Sequence, residues 1–232
     1  MKRNWKRRYS AYLFDLDGTL VDTAPDIDAA LNFSLKQAGL NTVTEDLTRH
    51  WVGHGSKTLI KEALDHQGEQ REIEPLLKDF ISYYENNIAN HSKPYPQVES
   101  TLATLKDGGA KLAVVTNKLT SLTTLLLREL NLERYFSSVV CGDSTKFPKP
   151  SPEPVLLAMR KLDSNAAESL FVGDSETDVS AARNANMSVV CMRDGYNHGI
   201  DVSSLDCDGV IASMSELPVS YTHLTLPTNR EV

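Results

Sequence analysis

Short apolar runs punctuate the chain at residues 12–14, 112–115, 138–141, 170–172 and 188–191, and 210–211 offers a sixth. They are Val-rich or aromatic and do not alternate with polar residues, as expected of parallel strands covered on both faces. Amphipathic stretches separate them, at 98–106, 119–130, 152–162 and 178–186. Strand alternating with helix predicts an α/β fold with a doubly wound parallel sheet. Ligands of such sheets bind at the carboxyl ends of the strands, where the strand order reverses.

One segment breaks this rhythm. Between residues 23 and 92 there is no strand-like run, and helical patterns occupy 25–38, 45–52, 57–66 and 73–90. Leu31, Leu35 and Ala38 keep three-to-four spacing, as do Leu76, Leu77, Phe80 and Tyr84. The pattern predicts an inserted helical cap domain over 23–92, with the α/β catalytic core made of 1–22 and 93–219. Lys93-Pro94-Tyr95-Pro96 reads as a stiff linker back to the sheet. Residues 220–232 are polar and irregular, unlike the closing helix expected of such a sheet. They read as an assembly scar and are given no function.

Composition narrows the function. Hydrophobic residues make up 41% of the 232, enough for a proper core. The formal net charge of −7 argues against a nucleic-acid partner, which needs a basic face. The one basic cluster, Lys2, Arg3, Lys6, Arg7 and Arg8, reads as a solvated leader, since no apolar stretch of targeting length follows it. No run approaches a membrane span. Cys141, Cys191 and Cys207 are widely spaced within apolar runs and read as free thiols of a reducing, cytoplasmic compartment.

Candidate chemistry gathers at the strand ends. Asp15-Leu16-Asp17-Gly18-Thr19-Leu20-Val21-Asp22 closes the first apolar run with two carboxylates, and Gly18 permits a sharp turn. Thr116-Asn117-Lys118 follows the second run, where a hydroxyl and backbone amides can hold phosphate oxygens. Lys149-Pro150-Ser151-Pro152 fixes a lysine in extended chain, with Ser151 as N-cap and Pro152 opening the next helix. Asp174 follows the fourth run, and Asp178 stands four residues on at a helix start, so both can point at a cation. Each signal alone has an ordinary structural explanation: an Asp-Gly turn, a helix cap, a solvated lysine, acidic capping. All four in order, each at a strand end, point to phosphate chemistry.

This set resembles the four motifs of the haloacid dehalogenase-like hydrolase superfamily, across the whole sheet domain and with the helical insert where that superfamily carries its first type of cap. The resemblance implies a Rossmann-like core, a Mg²⁺ cofactor and an aspartyl-phosphate intermediate. Asp15 then matches the nucleophile and Asp17 the general acid/base, which also gives its backbone carbonyl to Mg²⁺. Thr116 matches the phosphate-binding hydroxyl, with the Asn117 amide beside it. Lys149 matches the lysine that steadies Asp15 and the phosphoryl group. Asp174 matches the acidic metal ligand, and Asp178 its neighbour in the inner or outer shell.

Within that superfamily the stretch 15–26, the cap loop Trp51-Val52-Gly53-His54-Gly55 and the stretch Gly195-Tyr196-Asn197-His198-Gly199 resemble bacterial phosphoglycolate phosphatases. Gly53 and Gly55 would let a cap loop approach a small phosphorylated metabolite closely. His54 replaces a usual Asn and reads as a surface change. Asn186 replaces a usual Gly and tolerates the left-handed conformation. His198 stands where Tyr is common. A sugar-phosphate mutase or a pyrophosphatase of the same superfamily shares the motifs. A signalling receiver domain phosphorylated on Asp does not fit the Asp15/Asp17 pair or the insert. A P-loop enzyme is unsupported, since GxxxxGKS/T does not occur. Monomer and homodimer both fit the sequence.

Overall fold

The computed structural model describes residues 2–217. In chain order its elements are β1 (Ala11–Phe14), β2 (Val21–Asp22), α1 (Ala24–Gln37), α2 (Glu45–Trp51), α3 (Ser56–His66), α4 (Ile73–Asn86) and β3 (Lys93–Pro94). There follow α5 (Val98–Asp107), β4 (Lys111–Val115), α6 (Thr120–Glu129), β5 (Ser138–Val140), α7 (Glu153–Lys161), β6 (Ser169–Gly173), α8 (Glu176–Asn184), β7 (Ser188–Met192) and β8 (Gly209–Ile211). The six-stranded sheet runs β5-β4-β1-β6-β7-β8, and its neighbours pair in parallel. The chain winds outward from β1 through β4 to β5, then crosses to β6 on the other side. The order therefore reverses at β1, which puts the binding crevice at its carboxyl end.

The side-chain period of two distributes β1 between two layers. Tyr12 and Phe14 pack with Val98, Leu102 and Leu105 of α5 and Leu122 and Leu126 of α6. Ala11 and Leu13 pack with Val155 and Ala158 of α7 and Val179 and Ala182 of α8. Each such large side chain contributes about 1.5–3 kcal/mol by leaving water. Both faces are covered, which is why the strands read as unbroken apolar runs.

Helices α1 to α4 fill the segment that lacked strand signals. Leu31 and Leu35 of α1 and Leu76, Phe80 and Tyr84 of α4 are buried together, with Leu77 and Ala38 at the margin. Phe33 and Tyr83 stack at 4.6 Å between ring centroids. Two details differ from expectation. Helix α4 ends at Asn86, earlier than the predicted limit, and buried Ile88 follows it. The linker at 93–96 holds a strand: Lys93 and Pro94 pair antiparallel with Asp22 and Val21, so the exit and return of the insert form a two-stranded ribbon. Asp26 reinforces it, accepting from the Ser92 amide at 2.7 Å and the Ser92 hydroxyl at 2.6 Å.

The five basic residues of the leader are exposed, as expected, but the segment as a whole is anchored to the fold. Trp5 and Tyr9 are buried in the core, and the Trp5 ring lies so close over Gly209 that a Cβ there would sit 2.1 Å from it. The Arg3 amide donates to Asp208 at 2.7 Å and its guanidinium to the Asn186 carbonyl and side chain at 2.7 Å. Asn186 itself takes φ +59°, the left-handed conformation expected of it. The three cysteines are buried free thiols. Among the described residues no helix is long and apolar enough to cross a membrane. The 220–232 tail lies outside the described residues.

Candidate active site

The end of β1 carries the first carboxylate without a break. The Asp15 amide donates to Val172 at 2.9 Å, extending the ladder by one residue. The chain then turns: Leu20 N–H donates to Leu16 C=O at 3.0 Å, with Gly18 at φ +84°. A side chain at Gly18 would meet Asp174 Oδ2 at 2.5 Å and the Tyr196 ring at 2.8 Å, so glycine is required by both conformation and space.

Asp15 and Asp17 are both buried, but they face different partners. Asp15 Oδ1 lies 2.8 Å from Lys149 Nζ. Asp17 Oδ1 accepts from Lys118 Nζ and from Thr23 Oγ1, each at 2.7 Å. Lys149 also donates to Asp178 Oδ1 at 2.7 Å. The Lys149 backbone is gripped by Asn117, whose Oδ1 accepts from the Lys149 amide at 2.9 Å and whose Nδ2 donates to its carbonyl at 3.0 Å. Two helix expectations shift slightly. Helix α7 is N-capped at Pro152, with Ser151 Oγ accepting from the Glu153 amide at 3.2 Å, and α6 begins only at Thr120. Thr116 Oγ1 accepts from the Lys118 amide at 3.1 Å, beside the cavity.

Asp15, Asp174 and Asp178 form one acidic cluster, each offering a carboxylate oxygen within 4.8 Å of the others. Burial, then the neighbouring carboxylates, push Asp174 well above the usual carboxylate range. Burial likewise raises Asp15, to about 7, against the opposing pull of Lys149. Burial works against the Lys149 charge too, but Asp15 and Asp178 outweigh it and hold the ammonium protonated. Three buried carboxyl groups share one ammonium, and the upward shifts of Asp15 and Asp174 mark a burial and crowding that a bound cation would relieve. The partner of Asp15 Oδ1 among the described residues is the Lys149 ammonium. This all-oxygen donor set fits a small hard dication.

The members of the cluster are held differently. Asp174 receives Thr19 Oγ1 at 2.5 Å and the Tyr196 amide at 2.6 Å. Asp178 Oδ2 accepts from the Asp174 and Ser175 amides at 3.2 Å, and from Ser175 Oγ at 2.9 Å. It thus caps α8, as its place at a helix start predicts, and also pairs with Lys149. The Asp17 side chain stands outside the cluster.

A cavity between the sheet and the insert is lined by Asp15, Asp17, Thr116 and Asn117 on one side and by Gly53, Gly55, Leu59, Phe80 and Tyr84 on the other. It measures about 40 Å³, where about 10–15 Å³ on this measure holds one water. Gly53 and Gly55 thus sit where expected, and the Gly53 carbonyl accepts from Asn117 at 3.0 Å. His54 does not line the cavity. It is exposed, with Nε2 3.2 Å from Thr177 Oγ1 and its ring 4.7 Å from that of His198. The two unusual histidines therefore touch each other across the boundary between the insert and the sheet domain.

Sequence reasoning gave no role to Lys118, Thr19 or Tyr84. Lys118 stood within a quoted motif, but a lysine after a strand is ordinarily solvated. Its burial follows from Asp17, which lies far off in the chain. Tyr84 was visible only as one member of an apolar stripe.

Known proteins share the sequence and fold of this chain. Residues 12–192 match the family model for haloacid dehalogenase-like hydrolases. A phosphoglycolate phosphatase of Agrobacterium fabrum is 39% identical over 208 residues, covering 88% of this chain and 89% of that one. One from Nitrosococcus oceani is 39% identical over 209 residues, covering 88% and 93%. The crystal structure of a predicted phosphoglycolate phosphatase from Haemophilus somnus superposes with a TM-score of 0.86 at 34% identity, covering 90% of this chain and 96% of the other. This chain belongs to the haloacid dehalogenase-like hydrolase family.

Proposed function

We propose that this protein is a Mg²⁺-dependent phosphomonoester hydrolase that converts 2-phosphoglycolate to glycolate and phosphate through an aspartyl-phosphate on Asp15. The observation that carries this reading is the convergence of Asp15, Lys149, Asp174 and Asp178 at the carboxyl end of β1, with Asp17 and Thr116 beside them. The names of the relatives and the small cavity support the substrate.

In this reading Asp15 attacks phosphorus as the ester P–O bond breaks, dividing one difficult step into two. Asp17 gives its proton to the departing glycolate oxygen. It then takes a proton from the water that attacks the acyl phosphate, which releases Asp15. Lys118 and Thr23 fix the Asp17 carboxylate for both transfers. Lys149 offsets the repulsion between Asp15 and an incoming dianion. The Thr116 hydroxyl and the Asn117 amide hold phosphoryl oxygens, while the Asn117 side chain fixes the Lys149 backbone. Bound Mg²⁺ would neutralise phosphoryl charge. Asp15, Asp174 and the Asp17 backbone carbonyl would hold it. Asp178 stands behind them, its oxygens already engaged by Lys149 and the start of α8. Residues 23–92 act as the cap that closes on the metabolite. The buried free thiols fit a cytoplasmic enzyme.

A phosphatase screen with and without Mg²⁺ tests the proposal, using 2-phosphoglycolate, pyrophosphate, hexose phosphates and nucleoside monophosphates. The expected result is Mg²⁺-dependent turnover fastest with 2-phosphoglycolate. Activity unaffected by EDTA, or a preference for another substrate, contradicts it.

A further inference from the structure

A phosphate seated at Asp15 leaves the rest of a two-carbon substrate inside the cavity under the insert. Among the described residues that line this cavity, Lys118 is the one cation. Its side chain is only 5% exposed. An ammonium has three donors, and the hydrogen bond given by Lys118 Nζ goes to Asp17 Oδ1 at 2.7 Å. Tyr84, from α4, faces it: Nζ stands 4.9 Å from the Tyr84 ring centroid. The Tyr84 hydroxyl is buried, and the Lys118 ammonium is the group that interacts with it. Beside an ammonium, the phenol's own O–H is left to donate to an acceptor inside the cavity.

The third wall is the start of α3. Gly55 and Ser56 line the same cavity. Gly55 is the N-cap without a side-chain cap bond, and the first turn carries no acidic residue. The leading amides and the positive end of the helix dipole are therefore not neutralised by the helix itself. Ile27, Leu59, Phe80 and Leu122 make up much of the remaining wall. An apolar surround strengthens any charge-assisted hydrogen bond formed inside it.

We infer that Lys118, the Tyr84 hydroxyl and the first turn of α3 form the receptor for the carboxylate of the substrate, so that Lys118 and Tyr84 are specificity-determining residues. This inference rests on the 2-phosphoglycolate reading and adds to it the groups that would recognise the acid end. Lys118 then has two duties, holding Asp17 on one side and the substrate carboxylate on the other.

The test compares 2-phosphoglycolate with ethyl phosphate, which keeps the two-carbon ester and lacks the carboxylate, in the wild type, Tyr84→Phe and Lys118→Met. The quantity read is the ratio of kcat/KM for the two substrates. The wild-type ratio tests the substrate reading, and its change in the variants tests the receptor. Tyr84→Phe keeps the Lys118–Asp17 pair and should lower the ratio about tenfold, mainly by raising KM for 2-phosphoglycolate. Lys118→Met should lower it about 100-fold on top of any loss of kcat shared by both substrates. A wild-type preference that survives undiminished in Tyr84→Phe overturns the receptor while the substrate reading stands. So does an equal loss on both substrates in Lys118→Met, since Lys118 would then act only through Asp17. A wild type without preference for 2-phosphoglycolate overturns both.

Discussion

Removing one oxygen from Tyr196 should cost this protein a large share of its stability while leaving the acidic cluster almost untouched. The Tyr196 hydroxyl accepts from the Thr23 amide at 2.7 Å and the Ala24 amide at 2.8 Å, and donates to Asp22 Oδ1 at 2.5 Å. Burial, with Tyr95 and Asp22 nearby, pushes its pKa far up, so the hydroxyl stays protonated and the donation to Asp22 is permanent. The two amides open α1, where the chain enters the insert, and Thr23 provides no side-chain cap of its own. Helix-opening amides have no partner within the helix. In Tyr196→Phe the ring and its packing remain, but both buried amides lose their acceptor. At about 1–3 kcal/mol for each stranded donor, partly offset by local relaxation, the expected loss is about 2–4 kcal/mol. At about 2–4 °C per kcal/mol for a chain of this size, the melting temperature should fall by about 5–12 °C. The Tyr196 contact to Asp174 is made by its backbone amide, which the substitution keeps. Urea unfolding of both proteins, followed by circular dichroism, measures the difference. A loss below about 0.5 kcal/mol at unchanged slope would show that the hydroxyl does not hold the start of α1.

Two further outcomes follow from the geometry. Gly18→Ala forces a side chain into the space of Asp174 Oδ2 at φ +84°, so turnover should fall at least about 100-fold through misplacement of the cluster, with the circular dichroism spectrum preserved. Near-normal kcat in that variant would mean the loop yields freely. Burial pushes Asp208 up, but hydrogen bonds from Arg183, then from the Arg3 and Val189 amides, outweigh this and hold its pKa below the usual carboxylate value. A depressed folded-state value stabilises the fold fully above the unfolded pKa of about 3.9 and loses that contribution as pH falls through the folded value. Asp208→Asn should therefore be less stable than the wild type near neutral pH, with the gap closing below about pH 4. A gap in urea midpoints that is constant across that range would refute the assignment.

The sheet was legible because burial on both faces leaves each strand an unbroken apolar run, and each such run from 12–14 to 210–211 became a strand. The helices of the insert followed from Leu31, Leu35, Leu76 and Phe80, whose spacing survives in their burial. The two-stranded ribbon did not, because strands as short as Val21–Asp22 and Lys93–Pro94 carry no period to read. In the N-terminal segment the basic residues lie at the surface as read, but they hid two anchors: Trp5 and Tyr9 bury their rings between charged neighbours. At the candidate site, Asp15 and Asp174 were read from strand ends, Lys149 from its following prolines and Asp178 from a helix start, and the fold brings their side chains together. Asn117 was read for its amide, yet its side chain does the bridging between Lys149 and Gly53. Lys118 and Tyr84 escaped because a pairing between residues from distant elements leaves no local pattern in the chain.

The central claim is that Asp15 accepts the phosphoryl group. An acyl phosphate is reduced by borohydride to the alcohol, so a quench during turnover of 2-phosphoglycolate in the presence of Mg²⁺ should convert Asp15 to homoserine, read by peptide mass spectrometry. The account predicts homoserine at position 15, dependent on substrate and absent from Asp15→Asn. Turnover without any modification at Asp15, together with retained activity in Asp15→Asn, would contradict it.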